Sequence, residues 1–105
     1  MNVKNRAKNE LDRILKKYAD LDMFFGYEIR EPTSPGPDGD TPFHIAAYDG
    51  DVEAAKTMLP HVSNIDLPGD LGNSPLHYAI LNNKPEMAEF LITSGANAWQ
   101  KKRVR

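Results

Sequence analysis

The chain contains 105 residues, of which 27% are charged and none is cysteine, and its formal net charge is −2. This length suits one domain with a modest core, and the lack of cysteine excludes disulfide scaffolds and zinc sites built on thiolates. A charge so close to neutral argues against a dedicated nucleic-acid-binding protein. No apolar stretch is long enough to span a bilayer or to act as a signal peptide, so we expect a cytoplasmic protein without a membrane partner.

The charge is unevenly distributed along the chain. Residues 1–35 carry seven basic and six acidic side chains, residues 36–98 carry two and nine, and residues 99–105 carry four basic and no acidic ones. These segments have net charges of +1, −7 and +4, which sum to −2. The middle of the chain is therefore strongly acidic, and its end is strongly basic.

A helix is predicted over residues 5–22, where apolar residues recur every three or four positions. The next segment contains Phe24, Phe25 and Tyr27, and its pattern fits either a short strand or irregular packing. Residues 31–40 contain three prolines and two glycines, which predicts a turn-rich linker. Because an isolated helix of this length is marginal in water, we expect it to pack on the middle of the chain, with the three aromatic side chains filling the seam.

The chain then repeats itself with a period of 33 residues. Eleven positions match without a gap, beginning with Gly39 and Gly72 and ending with Asn64 and Asn97. A repeat of this length indicates one supersecondary unit that stacks on its neighbour.

Each repeat predicts two helices joined by a tight reversal. Thr41-Pro42 and Ser74-Pro75 are N-cap hydroxyls followed by proline, which predicts first helices over residues 42–48 and 75–81. Gly50 and Asn83 are predicted to end the first helices, because both residue types tolerate a left-handed conformation. Asp51 and Lys84-Pro85 are predicted to begin the second helices, and Pro60 and Gly95 to end them.

Two segments carry a family resemblance. They are Gly39-Asp40-Thr41-Pro42-Phe43-His44-Ile45-Ala46-Ala47 and Gly72-Asn73-Ser74-Pro75-Leu76-His77-Tyr78-Ala79, and both resemble the ankyrin repeat, as does Ser94-Gly95-Ala96-Asn97 after Leu91-Ile92. The resemblance covers about residues 36–99 and implies an all-α fold, a short array of two helix-turn-helix repeats over 36–68 and 69–99. The sequence departs from the family pattern at Gly36 and Gly69, where aspartate is usual, and at Val62 and Asn83, where glycine is usual.

Two repeats are fewer than the three that a stable array normally needs. We therefore predict that residues 1–35 form an N-terminal helical cap with its linker, and that Trp99 and Lys101 or a second subunit cover the far end. Residues 100–105 form a separate basic tail, which we expect to be solvated.

Candidate metal and catalytic residues have simpler interpretations. His44 and His77 share one repeat position, and we expect each to bond its own cap hydroxyl and the neighbouring turn, since no acid or cysteine recurs at ligand spacing. The acidic pairs at 38–40 and 49–51 do not continue into a twelve-residue calcium loop. We expect no catalytic residue, no metal and no cofactor, and hence no enzyme.

The resemblance implies a concave face formed by the turn tips and the first helices. Its variable positions are the predicted partner-binding residues, which are Asp38, Asp40, Ile45, Tyr48, Asp49, Leu71, Asn73, Tyr78, Leu81 and Asn82. This mixture of acids, tyrosines and aliphatic residues predicts a stand-alone binder or inhibitor of a protein with a basic surface. Small acidic binders of this kind resemble immunity proteins that neutralise basic nuclease toxins. Two alternatives stay open, namely a homodimeric scaffold and a regulator that contacts nucleic acid through the basic tail.

Overall fold

The protein is represented by a computed structural model that describes residues 3–98, with side chains from residue 8 onward. Its five α-helices are α1 (Val3–Ala19), α2 (Pro42–Asp49), α3 (Val52–Met58), α4 (Pro75–Leu81) and α5 (Pro85–Thr93). Short 3-10 turns cover Asp22–Phe24, Leu59–His61 and Asp70–Gly72. The described residues contain no strand, which confirms the all-α prediction. None of their helices combines the length and the apolar character needed to cross a bilayer. The predictions for Trp99, Lys101 and the basic tail lie outside the described residues.

The helices form two hairpins that lie side by side. Helix α2 packs on α4, α3 packs on α5, and α1 lies against α3 and α2. One continuous core runs through all of them, from Leu15 and Tyr18 on α1 to Met87 and Leu91 on α5. The amphipathic stripe of α1 is thus buried against the first repeat.

The segment between α1 and the first repeat is irregular, so the strand alternative is wrong. Helix α1 ends at Ala19, three residues before the predicted end. Phe24 is buried as expected, but Phe25 is 87% exposed and Tyr27 is 48% exposed, so the prediction that they fill the seam is wrong. The physical reason is the turn at Gly26, whose φ of 83° reverses the chain and directs the aromatic neighbours of Phe24 toward solvent.

The turns that precede α2 and α4 are called finger 1 (residues 35–41) and finger 2 (residues 68–74). The Gly36 N–H donates to the Asp40 carbonyl at 2.8 Å, and the Gly69 N–H donates to the Asn73 carbonyl at 2.8 Å. The two fingers therefore share this closing hydrogen bond, although each has glycine where the family usually has aspartate.

Both glycines make room for a side chain of the preceding element. A Cβ atom on Gly36 would lie 2.8 Å from the ring of Phe24, and one on Gly69 would meet Oδ1 of Asp40 first and lie 2.9 Å from Nε2 of His44. Contacts this short do not occur between a real Cβ atom and its neighbours, so only glycine fits. Phe24 thus lies against finger 1 much as His44 lies against finger 2.

The predicted caps and reversals are confirmed. The Thr41 and Ser74 hydroxyls accept the backbone N–H groups of the third residue of their helices, and Asp51 caps α3. Gly50 and Asn83 adopt φ values of 74° and 55°, the left-handed conformation that reverses the chain between the helices of each hairpin.

Candidate partner-binding surface

The carboxylate of Asp40 joins the two repeats. Asp40 is only 7% exposed. Its Oδ1 accepts the backbone N–H of Asp70 at 2.9 Å, and the hydroxyl of Tyr78 donates to Oδ1 at 2.9 Å and to Oδ2 at 3.0 Å. A buried charge is costly unless it is hydrogen-bonded, and bonds to a carboxylate are stronger than neutral ones. Asp40 therefore holds finger 2 and α4 to finger 1.

His44 forms the neighbouring part of the same junction. Its Nδ1 accepts the Thr41 backbone N–H at 3.2 Å, so the proton lies on Nε2, which donates to the Leu67 carbonyl at 2.9 Å. Burial lowers the pKa of His44, outweighing the bond to Leu67 and the charge of Asp40 that favour its protonated form. The expectation that this histidine bonds its cap and the neighbouring turn is confirmed.

Three rings stand edge to face beside this junction. The Tyr78 ring is 5.9 Å from the His44 ring and 5.9 Å from the Tyr48 ring, with interplanar angles of 83° and 87°. Burial, together with the hydrogen bond to Asp40, raises the pKa of Tyr78, so its hydroxyl stays protonated and donates. The Asn82 amide donates to the Tyr48 carbonyl at 2.6 Å, which adds a second link between α4 and α2.

A groove of about 380 Å³ opens on the concave face in front of these rings. It is lined by Leu21, Met23, Asp40, Ile45, Tyr48, Asp49 and Tyr78. Leu21 and Met23 come from the segment that follows α1 and form one wall. Tyr48 and Asp49 remain exposed, so the leading part of the chain borders the concave face and leaves it open.

The ten predicted partner-binding residues occupy three kinds of position. Asp38, Tyr48, Asp49, Leu71 and Leu81 are exposed, and Ile45, Tyr78 and Asn82 are half-buried. Asp40 and Asn73 are buried, at 7% and 6% exposure, because the fingers stack on each other. The surface open to a partner therefore consists of the other eight positions. The wall residues Leu21 and Met23 were missed, since nothing in the repeat pattern connects them with the concave face.

Leu71 at the tip of finger 2 is unusual in two respects. It has a φ of 56°, which costs a residue with a Cβ atom about 1–2 kcal/mol, and its side chain is 71% exposed. A large apolar side chain held in a strained conformation in solvent contributes little to folding. Such residues cluster at binding sites.

The aspartates of the two fingers and of α2 face no lysine or arginine from their own stretches of the chain. Residues 35–49 and 57–83, which include both fingers, α2 and α4, contain aspartates but no lysine or arginine. Among the described salt bridges, Lys17 pairs with Asp51 at 3.5 Å, and none involves Asp38, Asp49 or Asp70. Asp38, Asp49 and Asp70 thus take part in no described salt bridge.

Comparison with known proteins identifies the family. A family model that describes three copies of ankyrin repeats matches residues 7–102. The chain belongs to the ankyrin-repeat family. The matched span begins within α1, so it includes more than the two repeats that the 33-residue period indicates. Ankyrin repeats generally mediate protein–protein interaction and are typically non-enzymatic binding modules.

Several ankyrin-repeat relatives are similar over part of the chain. The mouse (Mus musculus) B-cell lymphoma 3 protein homolog is 32% identical over 74 residues, which is 67% of this chain and 16% of that protein. Myotrophin of Xenopus tropicalis is 36% identical over 59 residues, covering 56% of this chain and 50% of myotrophin. A putative ankyrin repeat protein of Rickettsia felis is 36% identical over 82 residues, or 76% of this chain and 27% of that protein. The chain spans half or less of the length of each.

Replacing Asp40 tests the junction. Asp40→Ala leaves the Asp70 N–H and the Tyr78 hydroxyl without their acceptor, and we expect a loss of about 2–4 kcal/mol in the free energy of unfolding. Urea denaturation followed by circular dichroism measures this loss. The matched control is Asp38→Ala, an exposed aspartate of the same finger, which should change stability by less than about 0.5 kcal/mol. Equal effects of the two substitutions would contradict the assigned role of Asp40.

The state of His44 predicts how stability depends on pH. Because the pKa of His44 is lowered in the folded protein, the unfolded chain binds more protons once the pH falls below about 7. Stability should therefore fall with decreasing pH, by at most about 1.4 kcal/mol per pH unit, until the pH passes the folded pKa.

Histidine ring NMR on the native protein measures this directly. The His44 ring should remain neutral in these spectra at a pH where a free histidine, whose pKa is about 6.5, is protonated. As a matched control, His61→Gln should keep the pH dependence of the melting temperature between pH 7.5 and 5.5, whereas His44→Gln should flatten it. A normal titration of His44 would be inconsistent with the buried neutral ring.

Proposed function

We propose that the chain is a protein-binding module whose acidic concave face holds a basic segment of another protein. The observation that carries this proposal is the absence of lysine and arginine from both fingers, α2 and α4, while Asp38, Asp49 and Asp70 lie on them. Carboxylates without a counter-charge steer a cationic partner and raise its association rate.

The uncharged residues of the face support the same proposal. Tyr48 is 46% exposed and Leu81 is 69% exposed. Leu71, at the tip of finger 2, is exposed as well and has the strained backbone conformation described above. Tyrosine is enriched at the centres of interfaces, where a desolvated contact contributes most of the binding energy. Exposed acids together with exposed aromatic and aliphatic side chains form a combination that suits a protein partner.

Inhibition is the most specific form of this function. A basic nuclease binds nucleic acid through lysine and arginine side chains, and a small acidic protein that occupies them blocks the enzyme by competition. We propose this immunity-type role in the cytoplasm for the chain on the strength of its charge distribution. The binder itself carries out no reaction, since its function is served by occupying the partner's surface.

Peptide selection on the immobilised protein tests the binding function. Peptides enriched from a random display library should be rich in lysine and arginine. Their affinity should fall at least tenfold for Tyr48→Ala combined with Asp49→Lys, because one change removes an interface ring and the other reverses a charge.

The matched control reverses the charge of an exposed residue on another helix. Glu86→Lys on α5 changes the net charge by the same amount as Asp49→Lys and should change the affinity less than twofold. Light scattering of the free protein at the assay concentration checks that a second copy does not occupy the exposed Ile80 and Leu81. Selection of acidic or neutral peptides, or equal effects of both variants, would refute the proposed function.

A further inference from the structure

We infer that the groove beside α2 is a pocket for one arginine side chain of the partner, a proposal that rests on the proposed function. The groove lies where the segment after α1 meets the concave face. Its volume of about 380 Å³ is at the small end of the range of pockets that hold a ligand. The acidic face as a whole would attract either lysine or arginine, whereas this groove favours arginine.

The inner surface of the groove suits the aliphatic part of an arginine. Leu21 and Met23, from the segment after α1, line it together with Ile45 of α2. All three residues expose apolar atoms, on which a three-carbon stem packs without losing hydrogen bonds. Methionine adds an adaptable contact because its side chain is unbranched.

The mouth of the groove suits a guanidinium group. Tyr48 is 46% exposed, so the face of its ring is accessible to a cation. The next residue, Asp49, lines the same groove and is exposed. Arginine stacks on an aromatic ring and bonds a carboxylate through two parallel N–H groups at once, which the compact ammonium of lysine does not do.

The aspartates near the groove differ in whether the protein itself already supplies them with hydrogen-bond donors or a cation. Asp40 is buried and accepts the bonds from Asp70 and Tyr78, and Asp51 pairs with Lys17 at 3.5 Å. The Lys84 side chain packs over Gly50 and makes no described salt bridge with Asp49. Asp49 is therefore the carboxylate at the groove that is left to pair with an incoming cation.

Titration of the full chain with N-acetyl-arginine amide tests this pocket. The probe should bind with a dissociation constant in the millimolar range, as expected for a molecule of this size. The methyl groups of Met23 and Ile45 and the ring of Tyr48 should shift in NMR spectra. N-acetyl-citrulline amide, which has nearly the same shape but no charge, should bind at least fivefold more weakly, and N-acetyl-lysine amide at least twofold more weakly.

A pair of variants completes the experiment. Asp49→Asn should weaken arginine-amide binding at least fivefold, whereas Glu86→Gln, which removes the same charge on α5, should leave it unchanged. Equal binding of the arginine and citrulline probes, or shifts confined to residues outside the groove, would overturn the arginine pocket. The proposed function would survive that result if selected basic peptides still required Tyr48 and Asp49, so the two failures are distinguishable.

Discussion

The buried carboxylate of Asp40 connects the two repeats, and the shape of the concave face depends on it. Its acceptor atoms hold the Asp70 N–H and the Tyr78 hydroxyl across the repeat boundary. Tyr78 in turn places its ring against those of His44 and Tyr48. Separating the fingers would break the hydrogen bonds that compensate for the burial of this carboxylate, so the two hairpins are held in one arrangement. The groove is thus built before any partner arrives.

The corresponding position in the second repeat illustrates the same constraint. Asn73 aligns with Asp40 and is also buried, but its Oδ1 has no hydrogen-bond partner within residues 3–98. A carboxylate at that site would be a buried charge without the donors that finger 2 supplies to Asp40. An amide carries no net charge and is therefore the less costly of the two residues there. The difference between these two aligned residues comes from the groups that pack on each of them.

The features that the sequence could predict depend on neighbours in the chain. Thr41, Ser74 and Gly50 determine helix starts and reversals by local hydrogen bonding and backbone geometry, and the period of 33 extends these rules to the second repeat. The starts of α2 and α4 and the all-α fold were accordingly predicted. The role of His44 was predictable as well, because its cap partner is only three residues away.

The features that escaped prediction depend on contacts between distant residues. Leu21 and Met23 reach the groove because α1 packs on α3 and α2, and no periodicity in the sequence encodes that approach. Phe25 was expected in the core from its apolar character alone, but the turn at Gly26 directs it outward. Aspartate is usually exposed, and the burial of Asp40 depends on donors that lie 30 and 38 positions later in the chain.

Amide hydrogen exchange at Asp70 tests most directly whether the Asp40 carboxylate joins the repeats. If it does, the Asp70 N–H opens only when the fingers separate, and its exchange should be slowed by a factor of about 10³ or more, with an opening free energy close to that of global unfolding. Exchange within about tenfold of the rate in an unstructured peptide would mean that finger 2 detaches freely, and the account of a preformed groove would then be wrong.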